Sequence, residues 1–236
     1  MTADFSGRCA ILTGAAGNLG RAVAAAFAAR GASLVLVDRD AQALRAAFGD
    51  DSAQRLCIAA DLLDPAQAQA ALDAAVGRLG SVDILCNLAG GFRMGEAVHE
   101  TSAATWELLW GLNVRTLLHM AQAAVPHLIA HGGGRIVNVG AFAAQRGVAA
   151  MGAYCAAKDS VIRLTEAMSA ELKGHGINVN CVLPTIIDTP ENRAAMPDAD
   201  PSRWVAPADL AHAIVFLASD EARAIHGAAL PVSGLG

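Results

Sequence analysis

Short runs of β-branched and apolar residues recur along the chain at 8–13, 33–38, 55–59, 82–87, 135–139, 177–183 and 228–232. Between them lie longer, alanine-rich segments whose apolar positions return at helical spacing, near 19–30, 40–48, 65–79, 103–131, 152–173 and 207–219. Strand-length apolar runs alternating with helical segments predict an α/β fold, a doubly wound parallel seven-stranded sheet covered on both faces. Pro65 and Pro207 read as first helical residues, where a missing N–H costs nothing, and Gly31, Gly80 and Gly174 read as helix ends.

With no internal repeat and no linker, residues 1–236 form a single domain. One stretch breaks the alternation. Residues 184–206 contain Pro190, Pro197 and Pro201 with several Asp and Asn, too long for an ordinary connection. The stretch follows the sixth strand at the carboxyl edge of the sheet, where ligands bind in such folds, and is therefore expected to be a substrate loop.

Of the 236 residues, 54% are hydrophobic and 17% charged, enough apolar material for one large core. The net charge of -5 comes with no basic block, which excludes a nucleic-acid partner. No apolar run approaches the roughly 18 to 20 residues that span a bilayer, and the opening Met-Thr-Ala-Asp-Phe-Ser is polar and acidic, so no membrane partner and a cytoplasmic location are expected. Cys9, Cys57, Cys86, Cys155 and Cys181 are odd in number and include no CxxC pair, reading as small buried hydrophobes in a reducing compartment. No metal site is expected: His127 and His131 sit at helical spacing but read as a solvated helix end before Gly132.

The first strand runs into Thr13-Gly14-Ala15-Ala16-Gly17-Asn18-Leu19-Gly20, followed by a helix. Gly14, Gly17 and Gly20 permit a tight turn, close backbone approach to a pyrophosphate and close helix packing, with Asn18 and Leu19 opening the helix whose positive end meets the phosphate. An acidic residue, Asp38, ends the second strand, where a Rossmann-type dinucleotide site places it. Its carboxylate can accept from both ribose hydroxyls and would repel a 2′-phosphate, so NAD, with NADH favoured over NADPH, is the expected cofactor. Asp61 and Leu62 after the third strand, and Asn87, Ala89 and Gly90 after the fourth, are the next segments expected to line it.

Tyr154 is the only tyrosine, and Lys158 lies four residues on, on the same face of a predicted helix. An adjacent ammonium favours the phenolate, so a tyrosine pKa lowered towards working pH and a role as general acid or base are expected.

In this order the glycine turn, Asp38, Asp61, Asn87-Leu88-Ala89-Gly90, Asn113 in a long helix, Ile136-Val137-Asn138, Tyr154-x-x-x-Lys158 and Pro184 to Thr189 resemble the short-chain dehydrogenases/reductases over essentially the whole chain. The resemblance implies that Tyr154 exchanges the proton, Lys158 binds the nicotinamide ribose, Asn113 holds a relay water, and Pro184, Ile187 and Thr189 approach the nicotinamide. It also implies a homo-oligomer, dimer or tetramer. Two positions depart from the family pattern: Asn18 replaces a usual glycine, and Ala141, thirteen residues before Tyr154, replaces the catalytic serine.

Both departures fit a narrower resemblance, to quinonoid dihydropteridine reductases, which also have alanine at the position of Ala141. Ala89-Gly90-Gly91 with Phe92, and the loop with Asp188-Thr189-Pro190 and Trp204, look like the corresponding segments there. Ala141, Phe92 and Trp204 are accordingly expected at the substrate pocket. The leading expectation is hydride transfer between the nicotinamide and a small conjugated carbonyl, imine or quinonoid substrate, a pteridine-like one included. The alternatives are an ordinary alcohol dehydrogenase or ketone reductase, with Asn138, Gln145 or water in place of the serine, and a catalytically silent NAD-binding protein.

Overall fold

The computed structural model describes residues 3–235. Seven parallel strands form one sheet in the order β3-β2-β1-β4-β5-β6-β7: β1 Cys9–Thr13, β2 Ser33–Asp38, β3 Arg55–Ala59, β4 Ile84–Asn87, β5 Gly134–Val139, β6 Ile177–Pro184 and β7 Ala229–Val232. The helices are α1 Asn18–Ala28, α2 Ala41–Phe48, α3 Pro65–Leu79, α4 Ala103–Trp110, α5 Thr116–Ala130, α6 Gly152–Leu172, α7 Pro190–Ala195 and α8 Pro207–Ala218. The chain winds outward from β1 through β2 to β3 and then crosses to the other side of β1 at β4, so winding reverses between β1 and β4 and opens a crevice at their carboxyl ends.

Alternation along each strand splits the core between the two faces. Ala10, Leu12, Leu34 and Leu36 pack on one side with Val23 and Phe27 of α1 and Leu210 and Ile214 of α8. Ile11, Val35, Val37 and Ile136 pack on the other with Leu72 of α3 and Met120 and Leu128 of α5. A fully buried side chain such as Phe27 contributes about 1.5–3 kcal/mol relative to exposure. Asp40, Asp64 and Ser102 cap α2, α3 and α4 with side-chain oxygens that accept from otherwise orphaned N–H groups.

Three expectations are corrected. The helix expected over 103–131 is two helices joined by a π-turn, Gly111–Arg115, with Asn113 at its centre. Such an insertion moves a helix out of its i→i+4 register and re-aims its side chains. The 184–206 stretch is not irregular throughout: Pro190 starts α7, Pro201 starts a 3₁₀ turn, and Ile187 bridges Val205. α6 ends at Leu172 and runs into a 3₁₀ turn, Lys173–His175, that contains Gly174; the left-handed residue that closes this turn is Gly176, at φ +71°.

Candidate active site

The crevice is built by the ends of β1 and β4. Thr13 Oγ1 accepts from both Leu88 N and Ala89 N at 3.0 Å, tying the two strand ends together. Gly14 has φ +61°, and a Cβ there would lie 2.9 Å from the Ala89 Cα. A Cβ on Gly20 would fall 2.4 Å from the Gly14 carbonyl oxygen, so both positions require glycine for the helix to approach the turn. Gly17 caps α1, and Asn18 and Leu19 open it. Asp38 reaches the same turn, its carboxylate accepting from Ala16 N at 3.1 Å and from Asp40 N at 3.3 Å. Asp61 accepts from Leu63 N at 3.0 Å, and the Leu62 carbonyl meets His119 Nδ1 at 2.8 Å. Free helix N–H groups, close-approach glycines and an acidic strand end together suit a dinucleotide.

Tyr154 and Lys158 stand on the first turns of α6. Lys158 is buried, and its Nζ donates to the Val139 carbonyl at 2.7 Å. A Cβ on Gly90 would lie 3.2 Å from this Nζ and 2.8 Å from Asn113 Oδ1, so the turn after β4, the π-turn and α6 converge there. Asn113 Oδ1 accepts from Gly91 N at 3.1 Å, and Nδ2 donates to the Gly91 and Leu109 carbonyls at 3.0 and 2.9 Å. The amide thus fixes the Gly90-Gly91 turn, and its N–H groups are used up in doing so.

Tyr154 rests against the apolar cluster of Ala141, Ala144, Ile162, Cys181 and Leu183, and the exposed Phe92 ring meets it edge to face at 4.9 Å and 87°. The expected direction of the tyrosine shift is reversed. Burial, assisted by the neighbouring Cys155, pushes the Tyr154 hydroxyl up to about 12, and burial lowers the Lys158 ammonium to about 8. Desolvation, not attraction between the two groups, sets the shifts.

Ala141 is buried and offers no donor. Asn138 cannot replace the serine: its Oδ1 accepts from Asn87 Nδ2 and its Nδ2 donates to Thr165 Oγ1, both at 2.9 Å, in a fully buried setting. Asn87 Oδ1, also buried, has no partner among the described residues. Trp204 lines a cleft of about 290 Å³ with Thr185, Ile186, Ala199, Asp200 and Arg203, whose walls include neither Tyr154 nor Ala141. Pro184 ends β6, Ile187 packs into the core face shared with α1 and α8, and Thr189 caps α7. Spacing gave no role to Thr13 or Val139, although Thr13 stands directly before Gly14. His127 is not simply solvated, since its Nε2 accepts from Val82 N at 3.2 Å. No cluster of three metal-binding side chains exists among the described residues.

Comparison with known proteins agrees with this geometry. The family model for short chain dehydrogenase matches residues 8–200. D-threitol dehydrogenase of Mycolicibacterium smegmatis is 36% identical over 250 residues, covering 99% of this chain and 96% of the relative. Cis-4-hydroxycyclohexanecarboxylate dehydrogenase of Sinomonas cyclohexanicum is 34% identical over 240 residues, covering 98% and 96%. The structure of 3-ketoacyl-(acyl-carrier-protein) reductase from Brucella melitensis complexed with NADH superposes with a TM-score of 0.88 at 33% identity, covering 97% and 98% of the two chains. With the glycine turn, the buried lysine and the tyrosine one helical turn away, these matches place the chain in the short-chain dehydrogenase/reductase family of oxidoreductases.

Proposed function

We propose that this protein is an NAD(H)-dependent dehydrogenase that interconverts a secondary alcohol and its ketone on a small, largely apolar molecule. The observation that carries the reading is the convergence of Lys158 and Asn113 on Gly90, with Tyr154 one turn before the lysine. A bound nicotinamide supplies or takes the hydride. Tyr154 exchanges the proton with the substrate oxygen, Lys158 binds the cofactor ribose and favours the phenolate when both groups face a bound cofactor, and Asn113 holds the Gly90-Gly91 turn in place. Because the Asn113 amide is committed to Gly91 and Leu109, a relay water would rest on its main chain rather than on its side chain. The remaining cofactor contacts fall to Gly14, Gly17, Asn18, Leu19, Gly20, Asp38, Asp61 and Leu62, then Asn87, Ala89, Pro184, Ile187 and Thr189. Asp38 supports NADH over NADPH.

An apolar substrate is supported by the rim. Phe92 and Val98 are exposed beside the first turn of α6, Phe142 follows Ala141, and Val98 sits where a Cβ on Gly152 would clash at 2.5 Å. The relatives' names are those of polyol and cyclic alcohol dehydrogenases, which support ordinary alcohol chemistry over a pteridine. Ala141 supports a second reading, reduction of a conjugated ketone whose carbonyl takes hydride without a serine hydroxyl. Residues 184–206 serve as the substrate loop with Trp204 at its far side, the chain forms a homo-oligomer, and its five unbridged thiols suit a reducing, cytoplasmic setting. The test is NAD reduction with cyclic secondary alcohols and linear polyols, alongside NADH oxidation with simple and conjugated ketones. Cyclic alcohols should turn over fastest. NADH binding with no turnover of any substrate would instead favour a silent cofactor-binding protein.

A further inference from the structure

Asn18, the first residue of α1, does more than open the helix. Its Nδ2 donates to a Glu191 carboxylate oxygen at 2.8 Å, and its Oδ1 accepts from Arg21 at 2.7 Å. Arg21 donates in turn to the Ala16 carbonyl at 2.9 Å. A continuous chain of side chains therefore runs from the glycine turn to α7, across 173 positions of sequence. An amide suits the middle of such a chain because it presents a donor to the carboxylate and an acceptor to the guanidinium. A glycine at this position could do neither.

The contact matters because α7 has little else to hold it. None of its residues is buried. Its other side-chain bonds stay inside the loop: Arg193 pairs with Asp188 at 2.6 Å, and Asn192 donates to the Ile187 carbonyl at 2.8 Å. Among the described residues, Asn18 to Glu191 is the one hydrogen bond of α7 that leaves the 184–206 loop. Glu191 stays ionised there, its own backbone amide, the Thr189 hydroxyl and Asn18 all holding its carboxyl below the ordinary range.

We propose that the Asn18–Glu191 bond is a clasp that fastens the substrate loop to the dinucleotide turn and slows release of the bound cofactor, which makes both positioning residues. The proposal rests on the NAD(H) reading above. The experiment follows NADH fluorescence as excess ADP-ribose displaces it from the unmutated protein, Asn18→Gly, Glu191→Ala, Glu191→Gln and the Asn18→Gly/Glu191→Ala pair. Losing one exposed, charge-assisted bond should speed dissociation roughly 3- to 10-fold in each of the first two variants, and the pair should be no faster than either alone. Glu191→Gln keeps an acceptor for Asn18 and should stay within about 2-fold of the unmutated rate. In the cofactor-free protein, backbone amides of α7 should exchange hydrogen faster in Asn18→Gly than in the unmutated chain. Unchanged dissociation in both single variants, or effects that add in the pair, would overturn the clasp while leaving the NAD(H) reading intact. Failure of NADH to bind the unmutated protein would overturn that reading and the clasp with it.

Discussion

Lys158 Nζ reaches past Gly90 to donate to the carbonyl of Val139, the last residue of β5, at 2.7 Å. A buried ammonium with this carbonyl as its one acceptor among the described residues is poorly solvated, which is why its pKa falls to about 8. The native state therefore binds that proton less tightly than the unfolded chain. Stability is reduced by this burial at neutral pH, and the penalty should lift as pH rises from about 8 towards the ordinary lysine value. Tyr154 acts in the opposite sense: raised to about 12, it favours the folded state below its ordinary value of 10 and loses that contribution as pH climbs to 12. Burial raises the Cys9, Cys86 and Cys181 thiols as well, so urea unfolding of the unmutated protein should show stability falling above about pH 9, while its deficit relative to Lys158→Met should shrink as pH rises from about 8.

Since Tyr154 is the only tyrosine, its ionisation can be read directly from phenolate absorbance. In the cofactor-free protein the titration should lie well above pH 10. Addition of NAD, whose oxidised ring is cationic, should move it to lower pH. A midpoint at the ordinary tyrosine value in the free protein would show that the hydroxyl is better solvated than its packing against Ala141 and Phe92 requires.

Tyr154→Phe should lower turnover by roughly 10²–10⁴ while changing NADH affinity little, because only the positioned proton is removed. Lys158→Ala should damage both. Steady-state rates and NADH titration of each variant separate the two residues.

Ala141→Ser adds a donor beside Tyr154. If a simple ketone is the substrate, a second hydrogen bond to the oxygen where charge develops should raise its reduction by 10-fold or more. With a conjugated ketone the gain should stay within a few fold, so the ratio of the two gains reports which substrate the site suits.

Ala150 adopts φ +60°, in the left-handed region, just before α6, and its carbonyl accepts from Gly95 N at 2.9 Å. Ala150→Gly removes the Cβ strain but gains freedom in the unfolded chain, so a net stabilisation of up to about 1 kcal/mol is expected from thermal unfolding. A loss of stability would place the strain elsewhere.

Most of the sheet was legible because strands buried on both faces must be nearly continuous apolar runs, as Ile11-Leu12 and Leu34-Val35-Leu36 are. The glycine turn and the Tyr154/Lys158 pair were legible because each depends on local spacing. The π-turn was not, since Leu109 to Thr116 carries no Pro and its Gly111, Asn113 and Arg115 are each compatible with an ordinary helix, whereas the contact that accompanies the distortion, Asn113 bonding across to Gly91, is not local in sequence. Nor was the tyrosine's shift, which depends on burial between Ala141 and Phe92 rather than on its distance in sequence from a lysine. The Asn18 to Glu191 contact joins residues too far apart for any window of sequence to reveal.

The buried amide chain from Asn87 through Asn138 to Thr165 has a consequence for assembly of the sheet. Asn87 and Asn138 face each other in register across β4 and β5, and Thr165 lies on α6. Apolar strands alone tolerate a slip, because one valine packs much like the next. Here a slip of β5 by one residue would set Val137 or Val139 opposite Asn87 and strand both amides in the dry interior, each at a cost of about 1–3 kcal/mol. The chain thus acts as a key that only one alignment accepts, and because its last member rides on α6, a misaligned sheet would also fail to seat the helix that carries Tyr154 and Lys158.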